Sequence, residues 1–161
     1  MPGRTYEQSS ESGRERHVPI PYARLTDATP TLHDPCEVIS AVLGTQITGV
    51  SISLDAVRSV AILNVAQGAV YRQNIRNCIT YGGGVENAWR VVNIGDPVWY
   101  DSSATMVALG LQLSTSPLDN VGGANTLFGH VVMLQNETAA SFTKGIAIAP
   151  GSTLECAIQL V

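Results

Sequence analysis

Apolar and polar residues alternate with a period of two over the clearest stretches of this chain. Leu154, Cys156, Ile158 and Leu160 are separated by Glu155, Ala157 and Gln159, and Val107, Leu109, Leu111 and Leu113 by Ala108, Gly110 and Gln112. Successive side chains of a strand point to opposite faces, so both stretches read as strands with one face buried. Val50-Ser51-Ile52-Ser53-Leu54 repeats the pattern, and Trp89 to Ile94 and Phe128 to Leu134 are β-branched or aromatic runs of strand length. Ile146-Ala147-Ile148, followed by the turn residues Pro150-Gly151-Ser152, predicts a hairpin with the last strand. Gly82-Gly83-Gly84, Gly95-Asp96-Pro97 and Gly122-Gly123 punctuate the remainder at intervals of roughly ten to fifteen residues, the rhythm of a sandwich or barrel.

One segment fits two templates. Between Asp55 and Gln67, the residues Ala56, Val57, Val60, Ala61 and Leu63 suit a short helix with Ser53 as its N-cap, whereas the β-branched content suits a strand. Strands do not alternate with helical segments elsewhere, and no internal repeat is visible, which argues against a parallel βαβ architecture and against a solenoid. The expected fold is all-β, a compact antiparallel β-barrel or β-sandwich.

The N-terminal part reads differently. Residues 1–37 hold ten of the chain's 22 charged side chains together with Pro2, Pro19, Pro21, Pro30 and Pro35. Each proline removes a backbone donor and pushes its predecessor toward extended geometry. An extended N-terminal arm over 1–37 and a β body over 38–161 are therefore expected. Alone, such an arm buries too little apolar surface to offset its ordering entropy, so it is either disordered or laid along a partner.

The body is poor in charge. No charged side chain occurs between Asp101 and Asp119, and between Asp119 and Glu137 only His130 is titratable. Interface cores are depleted of charge, so part of this surface is expected to meet another subunit; a small β-protein coated in Ser, Thr, Asn and Gln is the alternative. The net charge of −4 and the absence of a basic stretch interleaved with aromatics disfavour nucleic-acid binding. The N-terminus has no apolar signal region and no run of about 18 apolar residues occurs, so neither a signal peptide nor a membrane span is expected. Cys36, Cys78 and Cys156 lack CxxC spacing and read as buried free thiols.

Candidate chemistry is thin. Gly82-Gly83-Gly84 meets only half of a dinucleotide fingerprint, and Lys144 follows no glycine loop, so no phosphate cradle is expected. His17, His33 and His130 accompany no nucleophile elbow, and the His33 and Cys36 pair lacks a second pair for a metal. Asp96 with Asp101, or Glu86 with Asp119, are the carboxylates that a glycoside hydrolase reading needs. Gly95-Asp96-Pro97 has an equally good account as a turn. The chain is accordingly expected to be a non-enzyme without cofactor or metal. Trp89, Trp99, Tyr100 and Phe128 are the large anchors, and of Trp99 and Tyr100 one faces inward and the other outward. The outward one suits a partner surface or a sugar platform, or else ordinary packing.

Three segments together carry a resemblance: 89–101, Trp-Arg-Val-Val-Asn-Ile-Gly-Asp-Pro-Val-Trp-Tyr-Asp; 111–119, Leu-Gln-Leu-Ser-Thr-Ser-Pro-Leu-Asp; and 124–129, Ala-Asn-Thr-Leu-Phe-Gly. They resemble the small head-decoration (capsid cement) proteins of tailed bacteriophages, in which a GDPVYYD-like turn and strand precedes LSLSPLD-like and ANPLFG-like segments and a closing strand. The resemblance covers about residues 85–161, with Trp99 in place of a tyrosine and Thr126 in place of a proline. It implies a compact β-body on the outer face of a phage head, made in the host cytoplasm, binding the major capsid protein as a homo-oligomer, a trimer in preference to a dimer. Tyr6, Arg14, Arg16, Tyr22 and Arg24 on the arm and Trp99, Tyr100 and Phe128 on the body are the candidate interface residues. Gly95, Asp96, Pro97 and Gly129 are the candidate structural turn residues. A carbohydrate-binding β-module using Trp99 or Trp89, or a tail or baseplate structural protein, are the alternatives.

Overall fold

A computed structural model describes residues 10–40, 46–77, 80–81, 84–85, 89–118, 123–134 and 145–161. The chain divides into two compact units, Met1–Val70 with Leu160, and Tyr71–Gln159 with Val161.

The first unit contains β1 (His17–Pro21), β2 (Pro35–Val38), β3 (Ile47–Asp55) and β4 (Val60–Asn64), an antiparallel sheet in the spatial order β1-β4-β3-β2. Residues 17–37, expected in the arm, thus supply β1 and all of β2 but its last residue, Val38. β1 is extended, with Val18 and Ile20 half-buried and His17, Pro19 and Pro21 exposed, and it pairs with β4 from His17↔Asn64 to Pro21↔Val60. Proline cannot donate to a ladder, and an edge strand is where a sheet tolerates it. A 3-10 turn, Tyr22–Arg24, then delivers Leu25 to a buried cluster with Cys36, Val38, Ala61 and Leu63. The arm has too few apolar residues to make a core of its own, and it offsets its ordering entropy by completing one that β3 and β4 supply.

Segment 55–67 resolves as a hairpin, not a helix. β3 runs through Ser53 to Asp55, and the Arg58 N–H donates to Asp55 Oδ1 at 3.0 Å. Ser59 takes a left-handed φ of 54°, and β4 follows with Val60 and Ile62. Their β-branched side chains suit a pleated surface and crowd a helix. Ser51, fully buried, pins the loop before β2: its hydroxyl donates to the Thr31 carbonyl at 2.6 Å and accepts the Asp34 N–H at 2.9 Å.

In chain order the second unit contains β5 (Val70–Arg76, Val70 itself in the first unit), β6 (Thr80–Tyr81), β7 (Gly84–Val85), β8 (Arg90–Val92), β9 (Pro97–Tyr100), the helix α1 (Ala104–Leu109), β10 (Leu113–Ser114), β11 (Thr126–Leu134), β12 (Ile146–Ile148) and β13 (Thr153–Leu160, Leu160 itself in the first unit). Five of these strands close a barrel in the order β10-β5-β13-β11-β9; β12 pairs with β8, and β6 with β7. Tyr71, Ile75, Val98, Tyr100, Leu113, Phe128, Val131 and Ile158 are buried on these strands. The fold is all-β with a closed barrel, one of the two architectures that the turn rhythm leaves open. β13 keeps the expected alternation, with Leu154, Cys156, Ile158 and Leu160 buried and Glu155 and Gln159 exposed, and the small Ala157 buried as well.

Two local expectations fail. The apparent alternation over 107–113 spans a helix end and a strand start: α1 covers Ala104–Leu109, and Gly110, at φ 69°, caps it by donating to the Met106 and Val107 carbonyls. Ala, Met and Leu favour helix, glycine in the left-handed region ends it, and none of the α1 side chains is buried, so burial never selects the strand period. The second failure is the C-terminal hairpin, since β12 pairs with β8 from Ile146↔Val92 to Ile148↔Arg90 and β13 lies in the barrel. Buried Asn77, just after β5, holds the intervening turn. Its N–H donates to the Ser152 carbonyl at 2.9 Å, its carbonyl accepts the Gly151 N–H at 3.0 Å, and its Nδ2 donates to the Ile148 carbonyl at 3.1 Å. The turn itself is closed by the Ser152 N–H, which donates to the Ala149 carbonyl at 3.1 Å, but the strands on either side of it run to different partners.

Candidate functional site

The segments that carry the resemblance meet around β9. Asn93 and Asp96 close the turn before it: the Asn93 N–H donates to Asp96 Oδ2 at 2.8 Å and the Asp96 N–H to the Asn93 carbonyl at 3.2 Å. Gly95, at φ 93°, supplies the left-handed position, and its N–H donates to the Val131 carbonyl at 2.7 Å while the Val131 N–H returns to the Asp96 carbonyl at 2.9 Å. Pro97 then opens β9. On one side β10 pairs with it at Leu113↔Tyr100 and Ser114↔Trp99; on the other β11 pairs from Thr126↔Tyr100 to His130↔Pro97, with the register shifting between Leu127 and Gly129. A Cβ on Gly129 would collide with the Gln159 carbonyl oxygen, so only glycine fits where β11 lies beside β13. Gly95, Asp96, Pro97 and Gly129 are all structural, the turn three by conformation and hydrogen bonding and Gly129 by space.

Alternation at β9 places Tyr100 inside, fully buried, and Trp99 at half burial. Tyr100 and the fully buried Phe128 are core residues, which corrects their assignment to an interface. Their rings offer the barrel more apolar surface than any aliphatic side chain, and that holds them in the interior. Arg14, Arg16 and Arg24 are exposed, and Tyr22 packs half-buried against the first unit's cluster. The backbone around the first two arginines is tied to buried Asn64, whose Oδ1 accepts the Arg16 N–H at 2.9 Å and whose Nδ2 donates to the Arg14 carbonyl at 3.0 Å. Tyr6, Cys78, Glu86, Asp119 and Lys144 lie outside the described residues.

A pocket of about 320 Å³ opens on the second unit beside β8. Ile75 and Val131 contribute apolar wall, Trp89 stands at the rim with 68% of its surface exposed, and Arg90, Asp96 and Thr115 bring polar groups. The Thr115 hydroxyl is shielded from solvent and has no hydrogen-bond partner among the described residues. Trp89 is legible in the sequence as one of four anchors, but Arg90 and Thr115 are not, because nothing in their spacing shows that β8 and the end of β10 converge. A larger hollow of about 510 Å³ on the first unit, at the β3–β4 hairpin, has its charges already engaged, Asp55 with Arg58 at 3.9 Å.

The titratable groups carry structure. Burial pushes the Cys36 thiol up to about 12, with Asp34 adding to it, and burial does the same to Cys156 with help from Glu155. Both are free and buried, as their spacing predicts. His17 Nε2 lies 3.0 Å from Glu15 Oε2 on the exposed edge, and His33 occupies a left-handed turn position at φ 67°. Asp101, buried, accepts the Ser103 N–H at 2.9 Å, so both members of the Asp96 and Asp101 pair close turns. Among the described residues no group of three or more His, Cys, Asp or Glu is placed to hold a metal, and no helix is long and apolar enough to cross a membrane. No family model matches the chain, and neither a curated protein nor a solved structure does.

Proposed function

We propose that this chain is a virion structural protein that binds the outer surface of a phage head and stabilises contacts between major capsid subunits. One observation carries the reading. The three segments that resemble capsid cement proteins, scattered over 89–129 in sequence, are neighbours in space: the turn with β9, then β10 and β11 on either side of it. That β9, β10 and β11 form one contiguous stretch of the barrel is what supports the reading. The body around it is poor in charge, and Leu109 and Met133 stand exposed upon it at 61% and 38%. Such side chains suit a partner surface that is depleted of charge. Binding repeated around a closed shell gives high avidity from modest contacts, without any catalytic group.

In this reading the contact surface is the body, the partner is the major capsid protein, and the protein acts as a homo-oligomer, a trimer in preference to a dimer. Residues 10–21 are committed to their own unit, through the Glu11 N–H to the Val70 carbonyl at 2.9 Å, the Asn64 contacts and β1. Residues 10–21 therefore do not extend from their unit as a free arm. Co-sedimentation with expanded phage heads lacking the protein tests the reading. Saturable binding at a fixed ratio to the major capsid protein, weakened by Leu109→Glu, is the expected result, and absence of binding at any concentration rejects it.

A further inference from the structure

We infer that the pocket beside β8 is a binding site for a neutral pyranose sugar, stacked on Trp89. Trp89 and Val91 stand two residues apart on one face of the β8 segment, in the two-stranded sheet with β12, and are 68% and 58% exposed, although the second unit has a core available to large apolar side chains. Tyr100 and Phe128 take that option completely. An exposed indole at the mouth of a pocket presents a flat apolar face next to enclosed polar groups, and the C–H face of a pyranose ring is the complementary surface.

The polar lining then selects among ligands that stack. Arg90 and Asp96 both border the cavity, one of each sign, so a phosphate or carboxylate gains from the first and is repelled by the second. A neutral polyol suffers no such conflict, since its hydroxyls donate to a carboxylate and accept from a guanidinium. Thr115 adds the group that most needs a partner. Its Oγ1 is shielded in the present rotamer and bonds to nothing among the described residues, so a rotation about χ1 that turns it into the pocket breaks no hydrogen bond. The volume, about 320 Å³, lies at the small end of the roughly 300–1,000 Å³ typical of ligand pockets and suits one ring with its substituents. Trp99, the other tryptophan, is half-buried in the β9 ladder and is paired with Leu127 and Ser114, so the platform is Trp89. A sugar site here and a shell contact through Leu109 use different residues, so either can hold without the other.

The test uses the full chain. Only two tryptophans occur, so Trp99→Phe leaves Trp89 as the sole indole reporter. Its fluorescence is titrated with the methyl glycosides of glucose, galactose, mannose and N-acetylglucosamine, with saturation-transfer NMR on the parent chain in parallel, and with N-acetylneuraminic acid and adenosine as comparators. The expected result is a saturable change with at least one neutral glycoside. Trp89→Ala, read by NMR, then weakens that binding by about tenfold or more, from loss of the stacking surface. Thr115→Val weakens it by about fivefold, the net worth of one hydrogen bond. Far-UV circular dichroism and thermal unfolding establish that each variant folds, and Thr115→Val carries the test if Trp89→Ala does not. Failure of every neutral glycoside to saturate overturns the inference. So does equal or tighter binding of the acid or the nucleoside, or binding that Thr115→Val and Trp89→Ala leave unchanged.

Discussion

Two glycines on either side of β9 show how the same residue type serves opposite needs. Gly95 has nothing within 4 Å of the place where an alanine Cβ would sit and is required for its φ of 93°, whereas Gly129 meets the Gln159 carbonyl and is required for space. Gly95→Ala is expected to cost about 1 kcal/mol, the strain of a left-handed alanine, and Gly95→Asn less, because asparagine tolerates that region. Gly129→Ala is expected to cost more, about 2–3 kcal/mol, since backbone has to move. Thermal unfolding of the three variants ranks them, and a Gly129→Ala melting temperature at or above that of Gly95→Ala contradicts the assignment. Asn64 makes a third case. Its Oδ1 accepts both the Arg16 and the Ala66 N–H, at 2.9 and 3.1 Å, so Asn64→Ala is expected to cost about 2 kcal/mol and to release those two amides to hydrogen exchange. None of these roles is visible in the sequence beyond the general fact that glycine and asparagine favour turns; Gly129 in particular reads there as a turn residue and owes its identity to Gln159 on β13, its neighbour in the barrel.

The buried thiols give a pH dependence with a definite sign. Cys36 and Cys156 have ordinary values of 9.0 and are pushed up to about 12 in the folded chain. A folded value above the unfolded one means that the stabilisation is whole below about pH 9 and is lost as the pH rises toward 12, because the unfolded chain ionises first. Unfolding free energy measured from about pH 8 to about pH 11 is expected to fall more steeply for the parent chain than for the double Cys36→Ala, Cys156→Ala variant; parallel curves contradict it. Both thiols are also expected to resist alkylation at about pH 8 until the chain unfolds.

At the scale of elements, legibility follows burial. β13 is readable because its alternate side chains are inside and the charged and amide residues between them are not. β3 keeps the polar-apolar period but buries Ser51 as thoroughly as Ile52, with a bulge between Ser51 and Ser53 that the pattern does not announce. α1 imitates a strand in the sequence because no side chain on it is buried, which leaves propensity and a glycine stop but no face to mark the helix. The C-terminal hairpin misleads for another reason: its turn residues are plain in the sequence, but the strand that β12 pairs with is β8, far back in the chain, while Asn77 holds the turn. Propensity is local and pairing is not. Gly110→Ala, strained at φ 69° with open space around it, is expected to destabilise the end of α1 by about 1 kcal/mol while leaving the barrel intact, as differential hydrogen exchange of the two elements reports.

At the scale of the molecule, composition and turn rhythm suffice for the fold class, whereas the division into units is not legible. The charge-rich, proline-rich segment looks separate because it has no core of its own, yet from His17 it is half of a sheet. This changes what a truncation means. Deleting residues 1–35 removes β1 and the buried Leu25 and is expected to unfold the first unit, whereas deleting residues 1–9 leaves every described contact in place. Only the shorter deletion therefore separates an arm contact with a shell from loss of structure, and unaltered circular dichroism with weakened head binding is its expected result. The pocket is legible only in its tryptophan, because a site assembled from the start of β8, the turn before β9 and the end of β10 has no signature in linear order.

The order of strands around the barrel also fixes an order in time. β13, the last strand of the chain, sits between β5 and β11, and the parallel pairing of Ser114 with Arg76 joins positions roughly forty residues apart. During synthesis the β1 to β4 sheet has all of its strands by residue 64, while the barrel stays an open sheet with two unpaired edges until residue 160 has emerged. Those edges are the template on which two nascent chains can pair with each other. Refolding yield should therefore fall with protein concentration, and the second unit should acquire protection against hydrogen exchange after the first.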